Sequence, residues 1–195
     1  MIRNRLAKGL VLVLLAGSQN ALAQDAATAP LDCMATSYTP EQREQLDTFL
    51  LQFDLLNEDD SDVSDKVIGI AISAVETCER RLDWTEGQKD FAYIYEVTRL
   101  SDAAFRLSGA LAKNEITRID TALAKGDRSN LARILADGFL DQSSNEIDDD
   151  DALVLGLFAE EVGLNNNDEK TETLGVILSF WALQHVAGSR FDSAQ

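Results

Sequence analysis

The chain has 195 residues, of which 34 are acidic and 17 basic, and its formal net charge at pH 7 is −17. Because binding to nucleic acid depends on lysine and arginine contacts with phosphate, this balance argues against a nucleic-acid partner. Anionic lipid surfaces are disfavoured for the same reason. The charge is compatible with a basic protein partner, a cation or a neutral ligand.

The N terminus has the three parts of a secretory signal peptide, and we predict its cleavage after residue 23. Three basic residues and no acidic ones precede a short apolar run, Leu10 to Ala16, and Ala21-Leu22-Ala23 forms a typical cleavage motif. Cleavage removes three of the 17 basic residues and none of the 34 acidic ones, which takes the net charge from −17 to −20. We expect an exported protein, periplasmic or extracellular, that is soluble and not stably attached to a membrane.

The remaining sequence predicts one all-α domain of about six or seven antiparallel helices. Alternating runs of β-branched residues are absent, and apolar residues recur at helical spacing between short polar breaks. We expect a flexible arm over residues 24–37, the helical domain over 38–191 and a short tail over 192–195.

Two similar motifs predict the starts of helices in the first half of the chain. Thr39 and Gln42 have the spacing of a capping box, and so do Thr85 and Gln88. The surrounding segments, 38–43 and 84–89, share an aromatic residue, the threonine, the glutamine and a basic residue, which leaves open a repeat of helical hairpins.

Further breaks divide the rest of the chain. Ser101-Asp102 either caps a new helix or lies within the helix that starts at Thr85. In both cases we predict that the helix ends at Gly126, its C-terminal cap, and that Asp127 caps the next helix. Another helix is predicted to begin near Ser61 or Ser64. Three more are predicted over about 128–140, 152–162 and 168–187.

Cys33 and Cys78 are the only cysteines, and we predict a disulfide between them. An even pair in an exported chain favours a bridge. If the first two predicted helices form an antiparallel hairpin, the end of the second returns to the start of the first and brings the two cysteines together. We assign the bridge a structural role rather than a redox role, because a redox pair is typically Cys-x-x-Cys.

Four consecutive carboxylates, Asp148, Asp149, Asp150 and Asp151, form the sharpest local feature. They suit the N-terminus of a helix, where the helix dipole favours negative charge. The alternative is a Ca²⁺ site, because hard cations bind several oxygen ligands, although the spacing does not fit an EF-hand loop.

Residues for catalysis are sparse. His185 is the only histidine, and its apolar surroundings in sequence predict a core or interface position. Glu160 and Glu161 are adjacent carboxylates, which leaves a carboxylate-dependent hydrolase as a less favoured hypothesis. We assign no catalytic residues and no cofactor.

These observations favour a non-enzymatic exported protein that mediates a protein–protein interaction or has an accessory role. A Ca²⁺-binding or small-ligand-binding protein is the alternative. The motifs found along the chain are common to many unrelated helical folds and assign it to no family.

Overall fold

The computed structural model describes residues 30–52, 61–140 and 149–194, and all regular structure in these ranges is helical. The all-α class is therefore confirmed. The helices are α1 (Asp32–Ser37), α2 (Pro40–Gln52), α3 (Ser61–Leu82), α4 (Glu86–Leu107), α5 (Lys113–Leu123), α6 (Ser129–Leu140), α7 (Asp149–Glu161) and α8 (Asp168–Ser193). The predicted signal peptide lies outside the described residues.

Both capping boxes are present. The Gln42 backbone N–H donates to the Thr39 hydroxyl oxygen, and the Gln42 side-chain oxygen accepts from the Thr39 N–H. Thr85 and Gln88 form the same pair of hydrogen bonds at the start of α4. The repeat of helical hairpins stays a prediction, because capping alone explains this shared geometry.

In the first half of the chain, helix boundaries differ from the sequence-based expectation at two places. Residues 32–37, which we expected to be part of a flexible arm, form α1, which buries Met34 completely. Helix α4 continues through residues 101 and 102, because Leu100 and Ala104 are buried on one face. It ends before Gly109, whose φ of +82° suits glycine.

The C-terminal helix is longer than expected and includes two residues that we had assigned to the tail. Phe191 is buried and contacts the edge of Trp84, with 5.0 Å between the ring centroids. The Thr85 hydroxyl donates a hydrogen bond of 2.7 Å to the Ala194 carbonyl oxygen. These contacts hold the end of α8 against the start of α4.

The predicted disulfide between Cys33 and Cys78 is confirmed, and it joins α1 to α3. It lies in a core cluster formed by the first four helices and the end of α8. A second core cluster joins the end of α4 to α5, α6, α7 and the first half of α8. A small third cluster joins α6 to the middle of α8. Helix α8 therefore extends along all three clusters of the single domain and packs most extensively against α4 and α6.

A buried ion pair lies within the first cluster. Glu96 is fully buried, and its two carboxylate oxygens accept from the Arg99 guanidinium at 2.8 and 2.7 Å. Arg99 also donates to the Tyr38 hydroxyl, which ties the start of α2 to α4. No helix in the described parts of the chain is both long and apolar enough to cross a membrane.

Candidate binding groove between α6, α7 and α8

Helix α7 has apolar residues on all its sides from Ala152 to Ala159. One side faces the core, where Phe158 is buried and Val154 packs against the second cluster. Another side leaves Leu153 and Leu157 exposed, at 60% and 56%. Because a helix that is apolar all round is normally covered, two exposed leucines one turn apart on α7 call for an explanation.

A cavity of about 460 Å³ opens beside α7. Its walls come from three helices, and the residues that α7 and α8 contribute recur at i, i+3, i+4 and i+7, so that each helix presents one continuous face. The lining residues are Leu135 from α6, Ala152, Leu155, Gly156 and Ala159 from α7, and Thr171, Leu174, Gly175 and Leu178 from α8. We call this cavity the α7–α8 groove.

Two glycines keep the groove open, one on each of its longer walls. A methyl group added at Gly156 or at Gly175 would meet no atom within 4 Å outside its own helix backbone and chain neighbours. Neither position has the positive φ that favours glycine. Space, rather than backbone conformation, is therefore what these two glycines supply.

The groove is apolar in its chemistry. Thr171 carries the only polar side chain among the lining residues, and its hydroxyl is hydrogen-bonded to the Leu164 and Asn167 carbonyl oxygens, at 2.8 and 3.0 Å. No lining side chain can therefore serve as a nucleophile or a general base without giving up an existing contact. Such a surface suits apolar groups that leave water on binding.

Three exposed carboxylates each lie one helical turn from a groove-lining residue, which places them along its rim. Glu160 lies one helical turn after Gly156, and Asp168 and Glu172 precede Gly175 along α8. Within the described ranges, none of the three has a lysine, arginine or histidine nitrogen within 4 Å.

Two basic side chains that could neutralise these carboxylates form ion pairs with other residues. Lys170 donates to Glu115 at 2.6 Å, and Arg128 donates to both carboxylate oxygens of Glu161. The rim of the groove therefore has uncompensated negative charge. Glu160 and Glu161 also point to different surroundings, so they do not form the pair of facing carboxylates that a glycosidase requires.

The acidic run at the start of α7 is only partly described. Asp148 lies outside the described residues, and Asp149 and Asp150 are described only as the first backbone positions of α7. The Asp151 carboxylate lies 4.0 Å from the Arg133 guanidinium. Over the side chains that the structure describes, no group of three or more His, Cys, Asp or Glu residues could hold a metal ion.

His185 is exposed, so of the two predicted positions the core is wrong and the interface stays a prediction. Its ring stacks on Trp181, with 5.5 Å between centroids and an interplanar angle of 20°. Ser179, a nearby hydroxyl in sequence, donates to the Gly175 carbonyl oxygen within its own helix. The predicted stripe is buried at Leu174, Ile177 and Leu178, but nearer the C terminus other residues of α8 are buried instead, among them Ala187 and Phe191.

Other clefts are less suited to a partner. A cleft of about 520 Å³ between α3 and α4 is lined largely by paired charges, since Lys89 pairs with Glu79 and Arg80 with Glu76, and Asp90 adds one further carboxylate. A third cleft, of about 650 Å³, lies beside Cys33 and Pro30, where the described part of the chain begins.

Comparisons of the chain with protein-family models, with curated proteins and with solved structures gave no match. The functional argument therefore depends on the groove itself. The sequence contained one signal for it, the unbroken apolar run of α7, to which we had assigned no function. The facing glycine on α8 could not be recognised from the sequence, because nothing there indicates which helix lies opposite.

Proposed function

We propose that this protein is an exported, non-enzymatic binding protein that holds a partner protein on the α7–α8 groove. The observation that carries the proposal is the open apolar cavity along α7, a helix that also leaves Leu153 and Leu157 exposed on another of its sides. Large exposed apolar side chains next to a concave apolar surface are typical of protein interaction sites.

Two features support export. The leader over residues 1–23 has the charge and length of a secretory signal, and the Cys33–Cys78 disulfide is typical of oxidising compartments. We expect the intact mass of the purified exported chain to match a start at Gln24, less two hydrogens for the bridge. A mass that includes residues 1–23 would contradict the export part of the proposal.

The chemistry of the groove supports binding rather than catalysis. The lining side chains are aliphatic apart from Thr171, whose hydroxyl is already bonded to backbone carbonyl oxygens. Binding in such a groove draws on the burial of apolar area, about 25 cal/mol for each Å² removed from water.

Site-specific photo-crosslinking tests the proposal. A photoreactive amino acid is placed at Leu153 in the full chain, expressed in the cells that naturally produce it, and in a matched variant at the exposed Glu44 of α2. We expect a discrete protein adduct that forms only from position 153. Equal adducts from both positions, or none from 153, would contradict a partner at this surface.

The groove also favours one alternative, a small apolar ligand. Its volume of about 460 Å³ falls within the range of about 300–1,000 Å³ that is usual for small-molecule sites. Native mass spectrometry of the purified chain distinguishes the two functions. A retained small molecule in stoichiometric amount, without a crosslinked protein, would favour the alternative.

A further inference from the structure

We infer that the partner presents an amphipathic helix that is basic on its edges, with its apolar face in the α7–α8 groove and its lysines or arginines against Glu160, Asp168 and Glu172. This inference deepens the proposed function and depends on it. It identifies the chemistry of the segment that the groove accepts.

The shape of the groove favours a helix. Its two long walls are helical faces, and the side chains along each recur with helical spacing. Gly156 and Gly175 lower both walls at mid-groove, which lets a third helix approach closely with its side chains between the two faces. All regular structure in the described ranges is helical, so no strand edge there is open to an added strand, and a helix in a groove is a recurrent mode of peptide recognition.

The charge around the groove favours a basic helix. Glu160, Asp168 and Glu172 are exposed and have no cationic partner among the described side chains. A second copy of the chain is the less suitable occupant, because it would bring the same carboxylates, and a net charge of −17, against this surface. Complementary charge would instead steer a basic helix toward the groove.

A pair of synthetic peptides tests the inference. Both are helical, with leucines at i, i+3, i+4 and i+7, and they differ only in having lysine or glutamate at the flanking positions. Fluorescence anisotropy measures their binding to the purified exported chain. We expect the lysine peptide to bind at least about tenfold more tightly than the glutamate peptide, and this difference to shrink at high salt.

Variants of the rim carboxylates test whether these residues cause the difference in peptide affinity. Glu160→Gln with Glu172→Gln should weaken binding of the lysine peptide about fivefold to tenfold. The control combines Glu44→Gln with Asp47→Asn on α2, which changes the net charge equally and should leave the affinity unchanged. Equal weakening by both pairs would show a general charge effect and overturn the assigned rim.

The outcomes separate the inference from the function on which it depends. If position 153 crosslinks a protein but neither peptide binds, the partner is not a basic helix and the inference is wrong, while the function stands. Equal binding of the two peptides would show that the helix in the groove need not be basic, and would contradict only that part of the inference. Absence of both the crosslink and peptide binding would contradict the function as well.

Discussion

Gly156 on α7 and Gly175 on α8 line the same cavity from its two long walls, and each has room for at least the methyl group that it lacks. Glycine within a helix costs about 0.5–1 kcal/mol relative to alanine. The fold therefore gives up stability at two positions that keep one surface groove open. This cost is understandable if the open groove is used for binding.

The two glycines should be replaceable without damage. We expect Gly156→Ala to raise the free energy of unfolding by about 0.5–1 kcal/mol, because alanine fits and favours the helix. The matched comparison is Gly163→Ala, where φ is +68° and the added carbon would lie 2.9 Å from an Arg118 nitrogen. Urea unfolding should show that this second change destabilises the protein. Destabilisation by Gly156→Ala would mean that the groove is closed in solution.

The disulfide should contribute substantially to stability. Cys33 and Cys78 are 45 residues apart, and a loop of this length corresponds to about 4 kcal/mol in the chain-entropy model. We expect Cys33→Ser with Cys78→Ser to lower the free energy of unfolding by about 2–4 kcal/mol. Chemical reduction of the unmodified protein should produce a similar shift in the urea midpoint. An unchanged midpoint in both experiments would show that α1 and α3 are held together by packing alone.

The two capping threonines should differ in their contributions. Thr39 and Thr85 form the same capping box, but only Thr85 also donates a hydrogen bond to Ala194 at the end of α8. We expect Thr39→Ala to cost about 1 kcal/mol and Thr85→Ala about 1 kcal/mol more, since it loses both contacts. Equal losses in chemical denaturation would mean that the bond to Ala194 adds nothing.

Glu115 should make the stability depend on acidity. The hydrogen bond from Lys170 and the bond from the Ala112 backbone N–H lower the pKa of Glu115 below its ordinary value of 4.5. The deprotonated carboxylate therefore stabilises the fold above pH 4.5, and this contribution is lost as pH falls through the folded-state pKa.

We accordingly expect Glu115→Gln to lower the urea midpoint at pH 7, with a difference from the unmodified protein that shrinks below about pH 4.5. Glu169→Gln, which removes the same charge from an exposed carboxylate on α8, is the charge-matched control. A constant difference for Glu115→Gln from pH 7 to pH 3 would exclude the ionised pair with Lys170 as its cause.

Local chemistry in the sequence predicted much of the fold. The boxes at Thr39 and Thr85, and the glycine at 126 with its φ of +66°, define helix ends through nearby groups, so they could be predicted without tertiary contacts. The boundary between α4 and α5 could not, because the capping signal at Ser101-Asp102 is overridden by burial of Leu100 and Ala104, and α5 starts at Lys113 with no capping side chain at its N-cap residue. Asp102 instead accepts a hydrogen bond from Arg106 within α4.

The groove was less predictable, because it depends on which helix faces which. The apolar run of α7 was evident, but whether its leucines are buried is decided by packing against α6 and α8. The same dependence explains the exposure of His185, since the residues of α8 that are buried beyond Trp181 lie outside the predicted stripe. Periodicity identifies the face of a helix, and only tertiary structure shows what covers it.

The most direct test of the groove as a binding site is to fill it and measure the photo-crosslink from position 153. Gly175→Leu places a side chain into the cavity from the wall opposite α7, and Gly69→Leu is the control at an exposed glycine on α3 that also has open space. We predict that the Leu153 adduct is lost in Gly175→Leu and retained in Gly69→Leu, with both proteins folded by circular dichroism. Undiminished crosslinking in folded Gly175→Leu would contradict a partner seated in the α7–α8 groove.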